Sequence, residues 1–217
     1  MSASTLAYRA AYRARFIGAH YHGWLHMAFT VSMASLLCLA CLLQLKEVSL
    51  LEWMTVPLTF LYVNFAEYFG HRGVMHRRRA GLGLVYERHA CQHHLFFTHE
   101  NMQFDGTPDF KVVLFPPVLV TFFLLGFGTP IIALLAWIAT SNVAWLFGAT
   151  AVAYFLNYEL LHFAYHLPPT HWVARLPGMS VLRRLHTQHH DQALMNKYNF
   201  NITYPIADCL FGTLKRG

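Results

Sequence analysis

Residues 184–190 read RLHTQHH, and residues 88–94 read RHACQHH. The first stretch carries His186, His189 and His190; the second carries His89, His93 and His94. Each stands downstream of a strongly apolar segment. The reading of the chain therefore turns on what the apolar segments are and what the paired clusters of imidazoles hold.

The chain has 217 residues, 56% of them hydrophobic and 12% charged. Soluble domains carry about 25% charged residues, so this composition indicates a membrane protein. The length suits a single domain over residues 1–217. A net charge of +6 could suggest nucleic acid. That class is rejected, because the basic residues flank apolar segments and form no long run, which is a topology signal. The four cysteines are Cys38, Cys41, Cys91 and Cys209. Two of them lie in LLCLACLL and read as small apolar packing residues rather than a redox pair. The basic N-terminal stretch leads into an apolar run too long for a signal peptide core, so that run reads as a first span.

A bilayer core about 30 Å thick takes about 20 apolar residues in a helix. Four stretches qualify: roughly 24–44, 50–69, 113–138 and 143–165. The third is long and interrupted by FPP and GTP, which predicts a kink or a re-entrant hairpin. Four spans place the N-terminus, residues 70–112 and residues 166–217 on one side. That side then holds 15 of the 16 Lys and Arg residues, with Lys46 alone opposite. The excess of positive charge makes it the cytoplasmic side. The expected fold is therefore all-α, a four-transmembrane-helix membrane protein with a cytoplasmic histidine-rich, metal-binding cap.

Histidines number 15, and ten form four clusters. HRGVMH carries His71 and His76, RHACQHH carries His89, His93 and His94, HFAYH carries His162 and His166, and LHTQHH carries His186, His189 and His190. On an α-helix, positions i, i+3 and i+4 share a face. His162 and His166 should then point together, as should His186, His189 and His190. His71 and His76 would point about 140° apart on a regular helix, unless the helix ends near Gly73. His93 and His94 diverge, so one cluster can reach two centres. Ten nitrogen donors are too many for one metal and suit two. Imidazole accepts Zn, Cu, Fe or Ni, and no HExxH motif is present. His20, His22, His26 and His171 read as structural or interfacial; His99, in FFTHENM, is open to either role and is taken as a non-ligand.

The series HRGVMH, HACQHH, HFAYH, HTQHH resembles the fatty acid hydroxylase / sterol desaturase superfamily of integral-membrane histidine-box enzymes. The resemblance covers roughly residues 50–214. FDGTPDFKVVLFPP at 104–117 and NFNITYPIADCLFGTL at 199–214 look like the fatty acid 2-hydroxylase branch. Three residues precede the histidine pair of the second box, where that branch usually has two, and no cytochrome b5 domain is present.

The resemblance implies two iron ions held by His71, His76, His89, His93, His94, His162, His166, His186, His189 and His190. Zinc can replace iron in isolated protein. It also implies O2 as cosubstrate, a lipid or acyl-chain substrate, and an external electron donor, either ferredoxin or cytochrome b5 with its reductase. The expected reaction is hydroxylation of an acyl C–H bond. Desaturation and sterol or carotenoid oxidation are alternatives on the same scaffold, and a non-catalytic metal-binding membrane protein is a distant one. Metal-bound imidazoles usually give their other N–H to a carboxylate or carbonyl. Glu67, Glu159 and Asp191 stand close in sequence to the boxes and are the candidate partners. Asp105 and Asp109 read as loop and cap residues. Arginine-rich flanks favour a bacterial inner membrane with both termini cytoplasmic over the endoplasmic reticulum.

Overall fold

A computed structural model describes residues 3–215. Arg216, one of the tail charges counted above, lies outside the described residues. Every regular element among those residues is helical, and the only β-type pairing is the isolated Thr98–Asn101 bridge. We label the principal helices α1 (Ala3–Phe16), α2 (Gly23–Leu42), α3 (Thr55–Gly70), α4 (Pro117–Phe123), α5 (Thr129–Ile138), α6 (Ser141–Tyr165), α7 (Met179–His189) and α8 (Ile206–Leu210).

Among the described residues, α2 alone is by itself long and apolar enough to cross a membrane. The expected 50–69 segment is divided. A one-turn helix, Leu50–Trp53, is closed by a capping box: Glu52 N donates to the Ser49 hydroxyl and the Glu52 carboxylate accepts from Ser49 N. The reciprocal pair satisfies two otherwise orphaned N–H groups and fixes a start there. α3 then runs for only 16 residues. The expected 113–138 segment is bent by 47° between Thr107–Phe122 and Gly126–Ile138. The bend carries a π-helical turn, Leu124–Gly128. Pro130 follows within the first turn of α5, where a proline loses no hydrogen bond. α6 covers the fourth segment with 25 residues and carries Asn157, Glu159 and His162 along its C-terminal part.

The chain forms two compact units. One comprises Met1–Trp24, Asn64–Leu114 and Leu160–Gly217 and contains all ten clustered histidines. In it α1 buries the face Thr5–Arg9–Tyr12, spaced i, i+4, i+7. The Tyr12 ring meets Phe96 edge-on at 5.4 Å. Tyr68, Phe200 and Ala207 form a fully buried apolar cluster, with Phe65 packed against it.

The other unit comprises Leu25–Val63 and Phe115–Glu159. Its surface is apolar: Leu50 is 90% exposed and Trp137 83%. Leu36, Leu43 and Leu58 are exposed as well. Isolated exposed leucines are ordinary, but a surface this consistently apolar suits lipid. Inside this unit the Cys41 thiol lies where a Cβ on Gly148 would come within 3.1 Å of it, so the cysteine is packing material as expected. All four cysteines are free.

Candidate metal centre

The ten histidines gather into two buried groups of five. The first is His71, His76, His89, His94 and His189; the second is His93, His162, His166, His186 and His190. Within each group the potential ligand atoms all lie within 4.8 Å of one another. The partition is reciprocal. The first group takes four donors from residues 71–94 and one, His189, from α7. The second takes four from residues 162–190 and one, His93, from the earlier box. Each HH-containing box therefore gives its first and last histidine to one group and its middle histidine to the other.

Local backbone explains the pairing. His71 and His89 are partnered by His76 and His94, each five residues on. A regular α-helix would separate such pairs, and a π-helical turn, with its i→i+5 bond, brings them to one face. The chain is π-helical at His71–Met75 and again at Glu87–His93. His162 near the end of α6 and His166 just past it, and His186 on α7 and its C-cap His190, keep i, i+4 spacing and stay together. His189, expected to point with them, joins the first group instead.

Five of the ten ring orientations are set by backbone carbonyls. His93 Nδ1 lies 3.2 Å from Val112 O, His166 Nδ1 2.7 Å from Met102 O, and His190 Nδ1 2.7 Å from Phe97 O. His189 Nδ1 lies 3.0 Å from Tyr198 O, and His71 Nδ1 bonds Phe200 O. A carbonyl only accepts, so each of these Nδ1 atoms carries the proton and donates it. The Nε2 of each neutral ring is then a bare lone pair.

Those lone pairs converge. His93 Nε2 and His190 Nε2 are 3.1 Å apart, although both rings have given their only N–H to a carbonyl. No hydrogen bond can join them, and a shared cation is what makes the approach favourable. Neighbouring Nε2 atoms elsewhere in the second group are 3.1–3.2 Å apart, and in the first 2.7–3.2 Å. Donors set at right angles about 2.1 Å from one ion would lie about 3.0 Å apart. The residues fit metal ions, and their chemistry fits a nitrogen-ligated transition metal.

Burial keeps the rings in the form a metal needs. It lowers His76 to about 2 and His189 to about 4, from an ordinary 6.5. His71, His89, His93, His94, His166, His186 and His190 are likewise held well below the ordinary value, first by burial and then by neighbouring imidazoles. Neutral imidazole is the ligand form, so no proton need be displaced near neutral pH.

The sequence pattern of the fatty acid hydroxylase family matches residues 56–213, a span that contains all ten of these histidines. The chain belongs to the fatty acid hydroxylase family. Comparison with curated proteins and with solved structures returns no match. As a family member the chain is an oxidoreductase whose histidine clusters suit iron.

The candidate carboxylates are placed as follows. Glu67 accepts from the backbone N–H groups of Ile202 and Thr203, and from the Thr203 hydroxyl at 2.7 Å. It thereby anchors the segment whose Phe200 carbonyl orients His71. Glu159 is 1% exposed and accepts from Phe115 N at 3.0 Å. Asp191 accepts from Ala193 N at 2.8 Å and shapes the turn after α7. The orienting acceptors of His71, His93, His166, His189 and His190 are backbone carbonyls.

Other organising residues carry no signal in the histidine boxes. Asp208 is fully buried and accepts from Phe200 N at 2.9 Å, Asn201 N at 2.6 Å and the Thr213 hydroxyl at 2.7 Å. A lone acid inside the apolar run IADCL was the available clue. Asn199 donates to Leu185 O and Gln188 Oε1, tying α7 to the tail. Asp105 and Asp109 are more than loop caps. Arg13 reaches both oxygens of Asp109 at 2.8 Å and Asp105 at 2.6 Å. Of the unclustered histidines, His20, His22 and His99 are exposed, and His171 caps the short turn Trp172–Arg175.

Proposed function

We propose that this protein is a membrane di-iron monooxygenase that hydroxylates a lipid acyl chain. The observation carrying this reading is the pair of buried five-imidazole groups, five of the ten rings with tautomers fixed by backbone carbonyls, in a fatty acid hydroxylase family chain. Two irons, one per group, would supply O2 activation: one oxygen atom enters a C–H bond, and the other leaves as water with two electrons and two protons from a donor. The ten rings hold and orient, and their burial excludes bulk water from the reacting centre. The chain shows no flavin or iron–sulfur motif, so the electrons come from ferredoxin or cytochrome b5 with its reductase.

In this reading α2, α3, the bent α4–α5 pair and α6 are the four spans. The exposed apolar surface of the second unit supports lipid contact. The clustering of 15 of 16 basic residues on one side supports a cytoplasmic histidine face, in a bacterial inner membrane with both termini inside. The test is a product analysis. Purified protein is given acyl lipids, a reductant and isotopically labelled O2. A product heavier by one labelled oxygen atom supports hydroxylation. Loss of two hydrogens instead makes the chain a desaturase, and no product from wild type contradicts the oxidase reading.

A further inference from the structure

Arg9 is the least expected buried side chain of the molecule. It is 1% exposed, on a helix that precedes the family match, in a region otherwise read only as topological charge. Its guanidinium donates from Nε to Phe96 O at 2.8 Å and from Nη2 to Asn101 O at 2.8 Å. Nη1 donates to Gln103 O and to Asp105 Oδ2, each at 3.2 Å. The same group stands 4.8 Å over the Phe96 ring and 5.2 Å over the Phe97 ring. A planar fork with several fixed donors is what can bind several carbonyls at once.

The segment it grips supplies the carbonyls that orient two members of the second histidine group, His166 and His190. Phe97 O receives the His190 Nδ1 proton and Met102 O that of His166. Phe96, Asn101 and Gln103, whose carbonyls Arg9 holds, directly flank those two residues in sequence. The Phe97 ring also lies 4.1 Å from the His166 ring. The orienting carbonyls of the first group, Phe200 O and Tyr198 O, belong instead to the tail anchored by Asp208, Glu67 and Asn199; its His94 shares the short helix His94–Phe96, but its Nδ1 takes no carbonyl from the gripped segment.

We propose that Arg9 is a positioning residue for the second metal group alone, acting through the Phe96–Gln103 backbone. This rests on the two-metal reading above. Outer groups that orient metal-bound histidines typically change metal affinity by about tenfold to a hundredfold. The two metals of one chain should therefore respond unequally to the loss of Arg9.

The experiment uses full-length protein in detergent, loaded with iron(II) or zinc, and follows metal release into a chelator. Wild type is first required to bind two metals per chain; failure at that step overturns the two-metal reading before any Arg9 variant is measured. Arg9→Gln should then release one metal at least about tenfold faster, with the other within about twofold of wild type. In a His76→Ala background, which removes a donor from the first group, Arg9→Gln should speed release of the remaining metal. In a His186→Ala background it should leave the remaining metal unaltered. Arg9→Lys keeps the charge but cannot span the acceptors, so it should show the same asymmetry at smaller size. It carries the test if Arg9→Gln does not fold. Equal acceleration of both metals, acceleration of neither, or an effect confined to the His186→Ala background overturns the proposal.

Discussion

His93 and His190 face one another Nε2 to Nε2 at 3.1 Å, and each has already given its Nδ1 proton to a backbone carbonyl. One residue comes from the second histidine box and the other from the fourth. Their approach is unfavourable for the bare rings and favourable around a cation. Folding of the two distant boxes and metal binding are therefore linked: metal should stabilise the folded chain, and chelation should weaken it.

The tail anchor should matter to one group more than the other. Replacing Asp208 by Ala leaves the N–H groups of Phe200 and Asn201 and the Thr213 hydroxyl without their acceptor. Unsatisfied buried donors cost about 1–3 kcal/mol each, so a loss of at least about 3 kcal/mol is expected. Thermal unfolding in detergent checks the size. Amide exchange should rise at Phe200 and Asn201 while remaining slow at Phe97, because the two orienting segments are separate.

Asn199 sits at φ 57°, a left-handed conformation that asparagine tolerates better than most residues. Its side chain also bridges α7 and the tail, donating to Leu185 O at 3.1 Å and Gln188 Oε1 at 3.0 Å, and it accepts from Lys215 N at 2.8 Å. Asn199→Gly loses the side-chain bonds and keeps the backbone. Asn199→Val loses both and should be worse by about 1–2 kcal/mol. Equal melting temperatures for the two variants would show that the backbone conformation there carries no strain.

Gly23 marks a close approach at the start of α2. A Cβ there would collide with Thr107 O and lie 2.8 Å from the Phe110 ring. Gly23→Ala must therefore displace the Thr107–Phe110 turn, just ahead of the carbonyl of Val112 that orients His93. The expected result is reduced metal content together with lower thermal stability, while Gly18→Ala, which meets nothing within 4 Å, leaves both unchanged.

Acid should destabilise the metal-free protein. His189 is held at about 4 by burial, against an ordinary 6.5 in the unfolded chain. Above pH 6.5 both states are neutral there and nothing is lost. Between 6.5 and about 4 the unfolded chain binds a proton that the folded chain does not. Stability then falls with pH by up to about 1.4 kcal/mol per unit for each such histidine. Unfolding of chelated protein at about pH 7.5 and about pH 5.5 measures it, and an unchanged midpoint would contradict the neutral, buried state.

The gathering of these ten histidines was legible in the sequence because imidazoles at repeated spacing beside apolar segments have few other uses. The assignment of donors to groups was only partly legible. An α-helical wheel separates His71 from His76 and unites His186, His189 and His190. The π-helical turns at His71–Met75 and Glu87–His93, which bring residues five apart together, have no local sequence signature. The exchange of His93 and His189 between groups arises from tertiary placement of α6 and α7. Arg9 was invisible for a related reason: near an apolar segment an arginine reads as topology, and Arg9 differs from Arg13 and Arg15 only in what it meets when folded. The kink predicted in 113–138 is present, whereas the 50–69 segment opens with a capped one-turn helix and breaks at Met54, which hydropathy does not register.

The most direct test of the central claim is metal content per chain in full-length protein, measured for wild type, His76→Ala, His186→Ala and the double variant. Two metals in wild type, one in each single variant and none in the double would establish one ion per five-histidine group. A metal content that is zero in wild type, or unchanged by these substitutions, would contradict it.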